Sequence, residues 1–152
     1  MSWMTIINRL MNKCTKELID DRPLIDKQNN RLRNIFDLTN GNLKVNEHIV
    51  LGPQTRLSEF VTQGKDCLRL TIANLSFQTY EILEKGYIFM VGFDSEKIIS
   101  VDIAIASPSG VEEIKELAQD IEAIPGDYPW GKIRINDANR EPIPSIVIIY
   151  GN

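Results

Sequence analysis

The first apolar positions of the chain recur at steps of three and four residues, which is the period of one face of an α-helix. Asn8, Asn12 and Lys16 fall on the opposite side of such a helix. Pro23 would end it, because proline removes a backbone hydrogen-bond donor. The pattern therefore predicts an N-terminal amphipathic helix with the apolar stripe Trp3, Ile7, Leu10, Cys14 and Leu18.

Two short apolar stretches flank Asn40-Gly41 and predict a β-hairpin. Asn-Gly tolerates the two positive φ angles of a two-residue type I′ turn, and such a turn fixes the register of the strands. The expected pairs are apolar with apolar and acid with base: Leu38 with Leu43, Asp37 with Lys44, and Phe36 with Val45.

A short strand and a short helix are predicted next. Residues 49–51 are apolar, and Gly52-Pro53 closes this strand. Thr55 or Ser58 then occupies the position of a helix N-cap, and Gly64 occupies the position where the helix ends.

From Cys67 onward the apolar and polar residues follow the period of β-strands. Strands are predicted at Leu68–Ile72, Phe77–Ile82, Tyr87–Phe93 and Ile98–Ala106. The strands Tyr87–Phe93 and Ile98–Ala106 are expected to form a hairpin. If Phe93 faces Ile98 and the pairing is regular, one face of this hairpin is expected to belong to the core: Ile88, Met90, Ile99, Val101 and Ile103. The other face has Tyr87, Phe89, Val91 and Phe93 opposite Ser100 and Asp102, and we expect a helix or a partner to cover it.

A further helix is predicted up to about Glu122, before Pro125-Gly126. Ser109 is its expected N-cap, with Glu112 at the capping-box spacing. Its apolar stripe is Val111, Ile114, Leu117, Ala118 and Ile121. The chain then ends in two predicted strands, Gly131–Asn136 and Ser145–Tyr150.

Short connections between most of the strands favour antiparallel pairing. We therefore expect an α+β fold with a mostly antiparallel, strongly twisted sheet. The N-terminal helix and one or two further helices would pack against it. The length is typical of one domain, residues 1–152.

The composition narrows the function classes. A net charge of −4 argues against general binding of nucleic acid, because phosphate recognition needs clustered Lys and Arg. No apolar stretch approaches the roughly 20 residues that span a bilayer, so no membrane partner is expected. Cys14 and Cys67 match no zinc motif. Free thiols are favoured over a bridge between them, which indicates a reducing, cytoplasmic location.

The sequence offers little catalytic chemistry. His48 is the single histidine, and its neighbour Glu47 would point to the opposite face of a strand. No phosphate-binding glycine motif is present, and residues 94–96 are interpreted as a polar turn. We assign no catalytic, cofactor or metal residue and expect no cofactor. Whether the protein is an enzyme is left uncertain, with recognition preferred.

The strongest charge feature is the segment from Val111 to Asp127, whose net charge is −5. The helix dipole favours carboxylates near the helix N-terminus and disfavours them near its C-terminus. A solvated helix face and a docking surface for a basic partner both remain open. Trp130 lies shortly after this segment. Its side chain either covers the core or is exposed and contacts a partner. The candidate partner-binding residues are Glu112, Glu113, Glu116, Asp120, Glu122, Asp127 and Trp130.

The segments Tyr128-Pro-Trp-Gly-Lys-Ile and Ser145-Ile-Val-Ile-Ile-Tyr resemble the closing strands of small bacterial immunity proteins of toxin–immunity systems. Residues 42–60 resemble the strand, turn and short helix of the same proteins. The resemblance covers about a third of the chain. It implies a cytoplasmic protein without enzymatic activity that binds and blocks one toxin domain, often a nuclease or other basic enzyme.

The leading hypothesis is therefore an immunity protein that binds a cognate toxin domain by occlusion and charge complementarity. One alternative is a small-ligand-binding or enzymatic α+β domain with a pocket between sheet and helices, in which Asp102 would be the carboxylate of interest. A second alternative is a secretion chaperone or adaptor, which a dimer with an exposed apolar sheet face would indicate.

Overall fold

Two antiparallel sheets and two helices make up the secondary structure that the computed structural model describes. The elements are β1 (Phe36–Asp37), β2 (Asn42–Lys44), β3 (Val50–Leu51), α1 (Leu57–Gly64), β4 (Arg69–Asn74), β5 (Phe77–Glu84), β6 (Tyr87–Asp94), β7 (Lys97–Ile105), α2 (Val111–Asp120), β8 (Gly126–Tyr128), β9 (Gly131–Asn136) and β10 (Ser145–Tyr150). A three-residue 3₁₀ turn follows α1. The small sheet has the order β1-β2-β3 and the large one β4-β5-β6-β7-β10-β9-β8. The predicted α+β class is confirmed.

The structure describes residues 35–74, 76–106, 110–137 and 143–151. The predicted N-terminal helix with its stripe from Trp3 to Leu18 lies outside these residues, and so do Cys14 and Ser109.

The hairpin around Asn40-Gly41 is present, but its predicted register is wrong by two residues. Phe36 pairs with Leu43, and Asp37 pairs with Asn42, so the loop has four residues instead of two. The Gly41 N–H donates to the Asp37 carbonyl at 2.8 Å, and only Gly41 has a positive φ, of 78°. A slip of two residues keeps every side chain on its face, which is why the apolar pairing still holds.

The β6–β7 hairpin combines its two strands differently from the prediction. Val101 and Ile103 are core residues as expected, but Ile88 and Met90 of β6 do not share their face. Phe93 pairs with Ile98 as expected, but Gly92 pairs with Ser100, so Ile99 is an extra residue in a β-bulge. Beyond the bulge each β7 side chain changes face relative to regular pairing. The β6 residues of the expected mixed face therefore lie opposite apolar β7 residues instead of Ser100 and Asp102, and they are buried. We call this side of the large sheet the first face. It consists of Tyr87, Phe89, Val91, Phe93, Ile98, Val101, Ile103 and Ile105.

The main core lies between the first face, both helices and the small sheet. Phe60 of α1 is fully buried against Tyr80 and Phe93, with ring centroids 5.4 and 5.1 Å away. Burying one such side chain stabilises the fold by about 1.5–3 kcal/mol. The buried side chains of α2 belong to the same contiguous cluster as Ile103 and Ile148.

The opposite side, the second face, is also partly buried. Leu83, Ile88 and Ala104 form one row across β5, β6 and β7, and each is at most 4% exposed. None of the three belongs to the main core cluster. Asp102 lies half-buried on this face, between Met90 and Val147 in the neighbouring strands.

The first strand of the large sheet is present as predicted, but it is an edge strand. A bulge at Thr71 interrupts its pairing with β5, and the Thr71 hydroxyl donates to the Thr79 carbonyl at 3.0 Å. Because of the bulge and the edge position, Leu70 and Ile72 are both about half-exposed.

Neither predicted N-cap caps α1. The N-cap residue is Arg56, and Thr55 accepts a hydrogen bond from Gly52 N–H instead. Glu96, in the turn after β6, satisfies the start of the helix: its carbonyl accepts from Leu57 N–H, and its carboxylate accepts from both N–H and Oγ of Ser58. Gly64 ends the helix, as expected.

The second helix also begins one residue later than predicted. Its N-cap is Gly110, whose N–H donates to the Glu113 carboxylate at 2.8 Å. Its predicted apolar stripe is confirmed: Ile114, Leu117, Ala118 and Ile121 are buried, and Val111 is half-buried.

The end of the chain follows the prediction closely. β9 and β10 have the predicted bounds. The short strand β8 was missed, because its three residues contain glycine and no apolar alternation.

Candidate binding surface

Five carboxylates of α2 and its C-terminus lie on the solvent side of the helix. The apolar stripe faces the core, so helical spacing places the acidic residues opposite it. We call this set the acidic helix face: Glu112, Glu113, Glu116, Asp120 and Glu122. Four of the five are exposed, and Asp120 is half-buried.

The two N-terminal carboxylates have local structural roles. Glu113 accepts the Gly110 N–H and thereby caps the helix. Glu112 lies 3.6 Å from the Lys115 ammonium, and this exposed pair contributes little to stability. Both carboxylates also gain from the positive end of the helix dipole.

Glu122, at the C-terminal end of α2, differs from these two carboxylates in its backbone conformation. Glu122 has a φ of 60°, a left-handed conformation that costs a non-glycine residue roughly 1–2 kcal/mol. It occupies the C′ position of a Schellman motif, in which Ala123 N–H donates to the Ala118 carbonyl at 2.8 Å. Glycine is the usual residue there, and the helix dipole disfavours acids at this end. Local stability therefore does not account for Glu122.

Asp127 lies away from the acidic helix face. It belongs to β8 and pairs with Lys132 of β9, which in turn pairs with Ile149. Strand pleating puts all three on the second face, whereas α2 packs on the first. The structure thus divides the predicted acidic segment into two separate surfaces.

Trp130 is a core residue. It is 8% exposed, and its ring stacks on Tyr128 with centroids 5.2 Å apart. Its indole N–H donates to the Leu38 carbonyl at 2.8 Å. The ring packs so closely on Gly41 that a Cβ there would overlap it. Trp130 joins the small sheet to the closing hairpin and exposes little surface for a partner.

The remaining candidate groups lie apart from one another. His48 is exposed in the turn between β2 and β3, where its N–H donates to the Asn46 side chain. Cys67 is a half-buried free thiol. Within the described ranges, no three His, Cys, Asp or Glu side chains come together in a way that could hold a metal ion.

Two carboxylates at the large sheet were not predicted as candidates: Glu81 is buried, and Glu84 is half-buried. Glu81 is 4% exposed on the second face, 3.7 Å from the Arg69 guanidinium. Burial raises the pKa of Glu81, and the nearby Arg69 opposes this rise. Burial likewise raises the pKa of Glu84, against a hydrogen bond from the Asn46 amide. No local motif marks either residue, since each occupies an ordinary strand position.

A shallow cleft of about 360 Å³ lies beside the turn that precedes α1. Its lining includes Arg56, Glu96 and Lys97, of which Arg56 and Glu96 are 3.7 Å apart.

No helix in the described part of the chain is long and apolar enough to cross a bilayer. No protein-family model, no curated protein and no solved structure matches the chain.

Proposed function

We propose that the protein is a cytoplasmic immunity protein that binds a cognate bacterial toxin domain and blocks it by occlusion and charge complementarity. The partner would be a nuclease or another basic enzyme. The observation that supports this proposal best is the acidic helix face, and above all its C-terminal end. Asp120 and Glu122 lie where the helix dipole opposes a carboxylate, and Glu122 also adopts a strained backbone.

Residues that reduce local stability are often retained for function. Ile114 and Leu117 anchor one side of α2 in the core, so the helix is held firmly in place. A basic enzyme domain that approaches the other side would therefore contact several carboxylates at fixed positions. Such an array accelerates encounter with a cationic partner and discriminates against acidic ones.

The decisive experiment reverses Glu116, Asp120 and Glu122 to Lys and measures the dissociation constant for the toxin domain encoded by a neighbouring gene. The triple variant should weaken binding roughly a hundredfold or more, at about 1 kcal/mol or more for each reversed contact. Lysine in the last turn suits the helix dipole, so the helix should remain folded.

A matched control reverses Glu47, Asp66 and Asp94, three exposed carboxylates away from α2. This control changes the net charge by the same amount and should bind within about threefold of the wild type. Equal weakening in both triple variants would assign the effect to net charge alone. Unchanged binding in the α2 variant would exclude the acidic helix face.

We also propose that the N-terminal amphipathic helix packs against the large sheet. Its support is the apolar stripe in the sequence, together with the burial of Leu83, Ile88 and Ala104 on the second face. Leu10→Glu on the stripe should lower the free energy of unfolding by about 2–3 kcal/mol. Asn12→Glu, on the polar side, should change it by less than about 0.5 kcal/mol. Equal effects of the two substitutions would reject this part.

A further inference from the structure

We propose that the outer edge of β4 pairs antiparallel with β4 of a second copy of this chain, forming a symmetric dimer. β4 bonds to β5 on one side, and within the described ranges no strand pairs with its other side. It has six residues, whereas β8 at the opposite edge has three. A long open strand edge presents unpaired N–H and C=O groups that favour pairing with another chain.

Three apolar side chains are exposed at this edge, two on β4 and Phe77 at the start of β5, opposite the end of β4. Leu70, Ile72 and Phe77 are 50%, 54% and 50% exposed. The register places Leu70 on the first face and the other two on the second. An added strand would therefore bury apolar surface on both faces of the sheet, besides satisfying backbone groups.

The charge distribution favours a second copy as the occupant. Residues 70–74 contain no charge, and Arg69 at the start of β4 lies against Glu81. The acidic helix face lies far away, because α2 packs against β10, four strands from β4. At about 4.8 Å per strand, this separation is roughly 19 Å. Pairing through β4 thus keeps the two acidic surfaces at opposite ends of the dimer and leaves both open.

The bulge at Thr71 determines which residues can pair. Ile72, Ala73 and Asn74 follow the bulge and pair regularly with β5. A two-fold axis at Ala73 would put Ile72 opposite Asn74 of the second copy. The two Ile72 side chains then lie diagonally across the axis on the same face, within reach of long side chains.

Sedimentation velocity between about 10 and 200 µM tests the proposal, because a dimer with a dissociation constant of some tens of µM changes from mostly monomeric to mostly dimeric over this range. The wild type should form a dimer. Ile72→Lys should weaken it roughly tenfold or more, because it places like charges across the axis. Val61→Lys is the control, since Val61 is a similarly exposed apolar residue on α1, at 42%. This variant should dimerise like the wild type.

A charge-swap experiment tests the position of the axis. Mixing Ile72→Lys with Ile72→Glu should restore dimers, as heterodimers, at concentrations where each variant alone is monomeric. A wild type that remains monomeric at about 200 µM would overturn the proposal. So would equal weakening by Val61→Lys, or a mixture of the two Ile72 variants that stays monomeric.

Discussion

Two aromatic side chains tie the turn of the first hairpin to the end of the large sheet. The Trp130 indole N–H donates to the Leu38 carbonyl, and the Tyr150 hydroxyl donates to the Gly41 carbonyl, each at 2.8 Å. Burial raises the pKa of Tyr150, so its hydroxyl stays protonated and remains a donor. The small sheet is therefore held in place by one buried and one partly buried hydrogen bond in addition to apolar contacts.

Trp130→Phe tests the first of these bonds. The substitution keeps an aromatic ring but leaves the Leu38 carbonyl without its donor, so the free energy of unfolding should fall by about 1–3 kcal/mol. Tyr150→Phe should cost about 1–2 kcal/mol for the same reason at Gly41. Urea unfolding at neutral pH measures both. If either variant lies within about 0.3 kcal/mol of the wild type, that hydrogen bond does not stabilise the fold.

The half-buried Glu84 makes stability depend on pH. Its pKa is raised in the folded state, chiefly by burial, so the unfolded chain releases this proton at lower pH than the folded protein does. Its contribution is therefore most favourable below the unfolded pKa and is lost as the pH rises through the folded pKa.

Glu84→Gln removes this titration while keeping an oxygen that accepts from the Asn46 amide. The variant should gain stability relative to the wild type between about pH 4 and about pH 7, as urea unfolding at several pH values will show. The exposed Glu47→Gln is the control for the loss of one carboxylate. A constant difference between Glu84→Gln and wild type across this range would contradict the assignment.

At the scale of the element, α2 ends in a Schellman motif whose hydrogen bonds are formed, although Glu122 occupies the position that usually holds glycine. The hydrogen bonds from Glu122 N–H to Gln119 and from Ala123 N–H to Ala118 close the helix as in other Schellman motifs. Glu122 must adopt a positive φ for these bonds to form. The strain is offset by the two bonds and by burial of Ala123.

Glu122→Gly and Glu122→Ala separate backbone strain from charge. Both remove the carboxylate, but only glycine relieves the left-handed strain. The glycine variant should therefore be more stable than the alanine variant by about 1 kcal/mol in thermal or urea unfolding. Equal stability of the two variants would show that the backbone at this position is not strained.

The positions of the strands along the chain could be predicted better than the side of the sheet on which their side chains lie. Alternation marks where a strand runs, and β9 and β10 match their predicted bounds. The wrong faces of β6 and β7 were combined because the single extra residue Ile99 shifts the pairing by one. No local sequence signal marks this bulge, whose position depends on how the whole strand packs. The hairpin at Gly41 shows the same limit, since tertiary contacts with Trp130 accompany a longer turn.

At the scale of the whole molecule, the candidate surface was only partly predictable. Helical spacing correctly placed Glu112, Glu116 and Glu122 on the exposed side of α2. The position of Asp127 depends on the pairing of β8 with β9, a long-range contact without a sequence signature. Its separation from α2 concentrates the proposed interface on one helix, which packs against β10, four strands away from β4.

A charged array on one helix should act mainly on the rate of association with a cationic toxin domain. Opposite charges steer the encounter over about 10 Å at 0.1 M salt, and added salt screens this attraction. Raising the NaCl concentration from about 50 to about 500 mM should lower the association rate constant roughly tenfold or more, with a smaller effect on dissociation. The Glu116, Asp120 and Glu122 reversal should associate slowly at low salt and lose most of this dependence, whereas the Glu47, Asp66 and Asp94 reversal should keep it. Stopped-flow fluorescence can measure all three proteins, and an association rate of the wild type that is independent of salt would exclude steering by this helix.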